Sequence, residues 1–374
     1  TRLRTQEKDP CRMTDDPRQT PDRPAIKCRT ALGTRMPRPR LVISVNKSLI
    51  SPLKPINPKI YILLSVLFVA ACTPLEEYPA QIIRCADMPV ARTSAMAFAV
   101  GNKGYVVCGR GEENAVCSDM YVYDARSDIW SDAIETPLQA RVNGTACAVG
   151  DKAYIGLGFC GYAYGDDAYL NDWWEYTPAT DTWRQLADFP SENTVGAVAY
   201  TDGTHIYCVH GFGWGFSADM LCYDIASDIW TTIDRSRHPE YASMAGAGAT
   251  CNGRHFFGTG YNTHSLSEWY EVDFQAEWTK RKSVPSKREN AVCAASSRYI
   301  YLANGQHFGG TLTDGKRFDD ILRYDPQADM WTLAGHTSEA AINRIGFTIN
   351  GIAYIGLGED PLEQPLNTLY RIED

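Results

Sequence analysis

The chain is short of the residues that metal and nucleophile chemistry needs in clusters. Its 7 histidines stand singly, with no His-x-x-x-His pair and no metal-ligand spacing, so no metal site is expected. Long apolar runs are missing too. The stretch Ile60 to Ala71 is only twelve residues, too few to span a bilayer as a helix. Basic residues are scarce in most of the chain. Residues 1–72 carry 14 of the 36 Lys/Arg and 5 of the 45 Asp/Glu, leaving 22 and 40 for residues 73–374, a net of −18. A body that acidic repels nucleic acid, so no nucleic-acid partner is expected. The segment Gly156-Leu157-Gly158-Phe159-Cys160-Gly161 has the letters of a dinucleotide fingerprint, but it opens into a loop rather than a helix, and no cofactor is expected.

What is present is periodicity. Six times an aromatic residue stands four places before a glycine: Tyr105/Gly109, Tyr154/Gly158, Tyr207/Gly211, Phe256/Gly260, Tyr301/Gly305 and Tyr354/Gly358. Trp130, Trp183, Trp230, Trp278 and Trp331 keep the same period of about 50 residues, which is the mark of a repeat array. Each unit starts with a strand of small residues, such as Ala95 to Val100. Turns built on Gly, Asn and Asp follow, for example Gly101-Asn102-Lys103, Asp202-Gly203 and Asn350-Gly351. These residues tolerate positive φ, so the turns predict hairpins. Four short antiparallel strands in every 50 residues predict an all-β six-bladed propeller over residues 73–374. The sixth unit lacks its Trp strand, and the stretch Ile82 to Pro89, similar to Trp183 to Pro190, supplies it from the front and so removes exposed edges.

The pattern of a glycine after the second strand, then Tyr, then Trp resembles the Kelch repeat, most closely at Asn171-Asp172-Trp173-Trp174-Glu175-Tyr176-Thr177-Pro178-Ala179-Thr180-Asp181-Thr182-Trp183. It departs from that family where the glycine doublet is reduced, as at Gly109-Arg110-Gly111.

The front of the chain is different. Residues 1–45, rich in Arg and Pro, are expected to be disordered or an over-extended reading frame. Residues 46–72 read as a signal peptide: Lys47, Lys54 and Lys59, an apolar core, then small residues. Val69-Ala70-Ala71-Cys72 resembles a bacterial lipobox, and Thr73-Pro74-Leu75-Glu76-Glu77 is similar to the export signal of Bacteroidetes surface lipoproteins. That resemblance implies lipidation at Cys72 and an exported, monomeric protein anchored to the outer membrane or cell surface without a transmembrane helix.

In a propeller the long loops between second and third strands leave on the same face as the links between blades. These loops are aromatic-rich, with Tyr164, Trp214, Phe216 and His307 among the candidate ligand-binding residues. Arg92, Arg141 and Arg288 each precede by three places the small residue that opens a first strand, and Arg344 reads as one place off that register. First strands line the central channel, so these guanidiniums are expected to meet at its mouth, where an Arg fork suits a carboxylate. The Kelch resemblance implies the same acidic-ligand role for them. The series Asp119, Asp172, Asp219, Glu268 and Asp320 is expected to cap turns at the starts of third strands. Cys147 and Cys293 are expected in the slot of Phe98 and Phe347 as small buried hydrophobes, with Cys117 and Cys160 left in loops.

These observations predict a propeller that binds a glycan, another anionic ligand or a protein on its looped face. Two alternatives stay open. One is the sialic-acid (N-acetylneuraminate) mutarotases, which the architecture resembles; that resemblance implies Arg92, Arg141 and Arg288 around a carboxylate. The other is a non-catalytic protein scaffold.

Overall fold

The computed structural model describes residues 74–161, 168–190, 194–212, 216–233, 243–308 and 315–374. They form six four-stranded antiparallel sheets, the blades of a propeller. Blade I runs through Met96–Val100, Lys103–Val107, Met120–Asp124 and Ile129–Trp130. Blades II to V repeat this order, beginning at Thr145–Val149, Val198–Thr201, Ala247–Cys251 and Val292–Ala295. In blade VI, Ile345–Ile349, Ile352–Gly356 and Leu369–Glu373 are completed by Gln81–Arg84 from the front of the chain, which pairs antiparallel from Gln81/Glu373 to Arg84/Tyr370. The ring therefore closes as the repeat count requires, and no outer blade is left with a missing strand. Just before that strand, Glu77 forms a parallel bridge to Leu333 on the outer strand of blade V.

The repeated Tyr, Asp and Trp account for each blade's outer hairpin. In blade III, Asp224 Oδ1 accepts from the N–H groups of Ala226 and Ser227, an Asx turn, and Asp228 takes the left-handed conformation at φ 58°. Asp228 Oδ1 then accepts Tyr223 Oη at 2.7 Å and the N–H of Ala187 in blade II at 2.9 Å. Trp230 Nε1 donates to the carbonyl of that same Ala187 at 3.0 Å. One residue of the preceding blade is thus held on both its polar groups. The pattern recurs at Ala86 with Asp128 and Trp130, and at Lys282 with Asp329 and Trp331. Between blades the rings pack edge to face, as with Trp173 and Trp230 at 5.5 Å, so the aromatic period is the inter-blade core.

The nine described cysteines are all unpaired. Cys147 lies opposite Tyr154 as Phe98 does opposite Tyr105 and Phe347 opposite Tyr354. Cys293 differs from the expectation: it pairs with Leu302, which puts it in the slot of Ala97 and Gly346, while Ala294 takes the position opposite Tyr301. Among the described residues, no helix is long and apolar enough to cross a membrane.

Candidate functional site

The channel mouth is built from the short segment that leads into each first strand. Its key residues are Ser94, Asn143, Gly196, Ala245, Asn290 and Asn343, one per blade, all at positive φ between 52° and 67°. Each sits on the way into a strand and turns the chain sharply. The turn lets its N–H reach the carbonyl of the preceding blade: Asn143 to Ser94 (2.9 Å), Gly196 to Asn143 (2.8 Å), Asn290 to Ala245 (2.9 Å), Asn343 to Asn290 (3.1 Å) and Ser94 to Asn343 (3.3 Å). These backbone hydrogen bonds link blade III through II, I, VI and V to blade IV, with blade VI joined to blade I. Asn tolerates this conformation better than other side-chain-bearing residues.

A second set of backbone bonds braces the blades behind that ring. The N–H groups of Gly109, Gly260, Gly305 and Gly358 donate at 2.8 Å to the carbonyls of Arg141, Arg288, Ala341 and Arg92 in the next blade. Gly158 makes the same bond to Thr194 at 3.2 Å. Its φ is +102°, and a Cβ there would stand 2.7 Å from the Val142 carbonyl. The repeat glycine is needed because two backbones meet at that point.

The arginines serve this frame. Arg141 is fully buried, its Nη1 and Nη2 binding Asp172 at 2.6 and 2.8 Å, with Nη1 also on the Leu157 carbonyl at 3.1 Å and Nε on the Gln139 carbonyl. Arg288 repeats this with Asp320 (2.8 and 2.9 Å) and the Asn304 carbonyl, under the ring of Phe318. Arg92 binds Asp119 at 2.9 and 2.8 Å. So Asp119, Asp172 and Asp320 hold guanidiniums where the sequence suggested turn caps, while Glu268 accepts the Ser267 N–H at 3.1 Å and only the backbone of Asp219 is described. Burial alone would push the Asp172 carboxyl up, but Arg141 and the Trp174 indole outweigh it and hold it below the usual carboxylate range.

Arg344 corrects the register read from the sequence. Ile342 bridges Glu359 as Thr93 bridges Arg110 and Glu289 bridges Gln306, so Arg344 aligns with Ala95 and Ala291, three places after the other arginines. It nevertheless reaches the equivalent carbonyl, that of Leu357 at 3.0 Å, and takes Glu339 as its acidic mate at 2.6 Å. Of the four arginines only Arg344 lines the mouth. The guanidiniums do not meet there; each is held inside its own blade. Among the other candidates, Cys72, Tyr164 and Trp214 lie outside the described residues, and only the backbone of Phe216 is described. His307 is half-buried beside the seam between blades IV and V.

The mouth opens on a space of about 370 Å³ lined by Ser94, Asn143, Asn290, Asn343, Met244 and Arg344, with Ala and Gly between them. Behind it the channel, about 500 Å³, is walled by the small residues of the first strands, such as Ala97, Ala146, Gly248 and Gly346. The carboxamides were missed in the sequence because Asn at these places reads as a turn residue; the available signal was Asn143 and Asn290 one place before the strand-opening Gly144 and Ala291, with Arg344 after Asn343 hiding the third. Among the described residues, no group of three or more His, Cys, Asp or Glu is placed to hold a metal ion.

The KLHDC2/KLHL20/DRC7 Kelch-repeats domain profile matches residues 79–260. The chain is a Kelch-repeat β-propeller. It is 27% identical over 261 residues to Kelch-like protein 25 of Xenopus tropicalis, covering 67% of this chain and 42% of that protein. It is 24% identical over 267 residues to human Kelch-like protein 23, covering 69% and 44%. The chain thus spans less than half the length of these relatives. A solved structure titled "Structure of YjhT" has the same fold, with a TM-score of 0.64 and 16% identity, covering 78% of this chain and 99% of that one. As a Kelch propeller the chain is suited to binding a protein or a smaller ligand.

Proposed function

We propose that this Kelch propeller is a non-catalytic binding protein that receives a segment of a protein partner in the channel mouth on its looped face. One observation carries the reading: Asn143, Asn290 and Asn343 line that opening, and none of their side chains is tied to another blade at the mouth. Asn350, on the far turns, shows the contrast, its carboxamide lying 2.7 Å from that of Asn102. A carboxamide both donates and accepts, which matches a peptide group. The arginines support the same choice, because Arg92, Arg141 and Arg288 already hold acidic mates and offer an anionic sugar little. The mutarotase reading, which needs those guanidiniums free around a carboxylate, gains no support from this arrangement.

The test is a displayed peptide library panned on the purified protein, counter-screened with the triple variant Asn143→Gly/Asn290→Gly/Asn343→Gly. Gly196 stands at the same place in blade III, so glycine keeps the backbone turn. Selected peptides should lose about tenfold or more in affinity on the triple variant, the scale of two or three lost hydrogen bonds. Peptides that bind the variant equally well, or selective binding of members of an acidic and neutral sugar panel in their place, would overturn the reading. The lipobox-like Val69-Ala70-Ala71-Cys72 supports the added proposal of export and lipid anchoring at Cys72. Incorporation of an alkyne-tagged fatty acid that Cys72→Ser abolishes would check it.

A further inference from the structure

Three described glutamates are buried, and two of them have cations in hand. Glu175 is bound by Lys152 and Arg184, and Glu359 by Arg110 and Arg317. Glu289 is the third. It is 4% exposed, and among the described residues no Lys or Arg faces it. Its neighbours are Ser265 across the seam in blade IV and, in its own blade V, Gln306, His307 and the N–H of Phe308. Gln306 Nε2 approaches Oε1 at a long 3.4 Å, and Oε2 has no hydrogen-bond partner. His307 Nδ1, also buried, has none either. Ser265 Oγ accepts the Phe308 N–H at 2.9 Å, which leaves the hydroxyl proton to point elsewhere.

The fold does not ask for an acid here. At the same place the other blades carry Thr93, Val142, Val195, Met244 and Ile342, as the bridges leading into each first strand show. A buried carboxylate without a counter-charge costs several kcal/mol. A neutral carboxylic acid would need an acceptor for its proton; no hydrogen bond reaches Oε2, although the Ser265 hydroxyl and the Phe308 N–H lie close to the carboxyl. The residue is therefore built for a contact that the isolated chain does not make. Beside it the rings of Tyr261 and Phe308 meet edge to face at 6.2 Å, and Phe308 is 53% exposed, so the cluster reaches the looped surface next to two aromatic faces.

We infer that Glu289, with Ser265 and His307, forms a subsite for a basic side chain, an ammonium or guanidinium, of the protein partner. The inference rests on the reading of the looped face as a protein-binding surface and names one charge that the partner brings. The net of −18 over residues 73–374 draws such a partner in the same sense. Aromatic faces beside a cation add to its binding. Burial holds the free carboxyl above its usual range. Binding of a cation favours the carboxylate and so lowers the carboxyl's titration midpoint.

Small cations test this without any peptide. The full chain, labelled with carbon-13 at its glutamate carboxyls, is titrated with n-butylammonium and n-butylguanidinium, with n-butanol as the uncharged control. The Glu289 resonance, assigned by its loss in Glu289→Met, should move with either cation and not with butanol. Its titration midpoint should fall by about one pH unit or more when the site is filled. Below that midpoint, affinity should rise about tenfold per pH unit, since one proton leaves per cation bound. Met244 already occupies this place in blade IV, so Glu289→Met is compatible with the fold, and Glu289→Gln keeps the shape without the charge. Both variants should weaken cation binding about tenfold or more. Equal movement with butanol, or cation binding that survives Glu289→Met, would overturn the inference. If peptides selected on the mouth bind while neither cation does, Glu289 is not such a subsite and the mouth reading stands.

Discussion

Removing Arg141 separates a frame residue from a ligand residue. Its guanidinium makes two bonds to Asp172 and one each to the carbonyls of Leu157 and Gln139, with no exposed surface. Arg141→Ala leaves a carboxylate that is only 23% exposed without its counter-charge, together with two unmet carbonyls. Breaking one side of such a pair costs about 3–5 kcal/mol. At roughly 2 °C per kcal/mol for a domain of this size, Tm should fall by about 6–10 °C in a calorimetric scan. Asp172→Ala should cost a similar amount, and the double variant no more than either single one, because it leaves no lone charge. The pH dependence follows from the lowered Asp172 carboxyl. Its stabilisation is fully present above the ordinary carboxylate value and is lost as pH falls through the lowered folded value, so Arg141→Ala should flatten the stability curve on the acid side. A loss below about 1 kcal/mol, the scale of an exposed pair, together with abolished ligand binding, would refute the frame assignment and return Arg141 to the binding surface.

Other expectations are simpler to check. Gly358→Ala puts a Cβ 2.6 Å from the Ile342 carbonyl at φ +95°, at the contact that joins blade VI to blade I. Urea unfolding should show a loss of about 2 kcal/mol or more, where Gly101→Ala, with open space around it, should cost about 1. Asp228→Ala removes the acceptor shared by Tyr223 and Ala187 and should cost about 1–3 kcal/mol, while Asp228→Asn, which keeps an oxygen and tolerates the positive φ, should cost less. Iodoacetamide at neutral pH should reach the half-buried Cys160 before Cys108, which is buried and whose thiol burial pushes up to about 12; equal rates would contradict that placement.

Legibility in the sequence followed the range of the interactions. The Tyr, Gly and Trp markers could be read because each repeats a local geometry, a positive-φ glycine or a hairpin turn, five or six times over. The closing strand could be read as well, since a repeat with one strand too few must find it somewhere, and Gln81–Arg84 fills that place. The arginines were visible as a series, but their partners were not. Arg141 and Asp172 lie 31 residues apart and became a pair only when the second strand and its loop folded between them. Arg344 shows the limit most clearly: it stands three places from the register of the other arginines yet reaches the same carbonyl position, because a long side chain can meet one target from two backbone positions. Glu289 was one acidic residue among many in a list of letters. Only packing showed that every other buried glutamate among the described residues has a basic partner and this one has none. The sequence by itself determined the blades and their number, because periodic local preferences carry that information. Which charged groups are satisfied and which remain open for a partner was decided by tertiary structure, because charge pairing depends on distances that the order of residues does not contain.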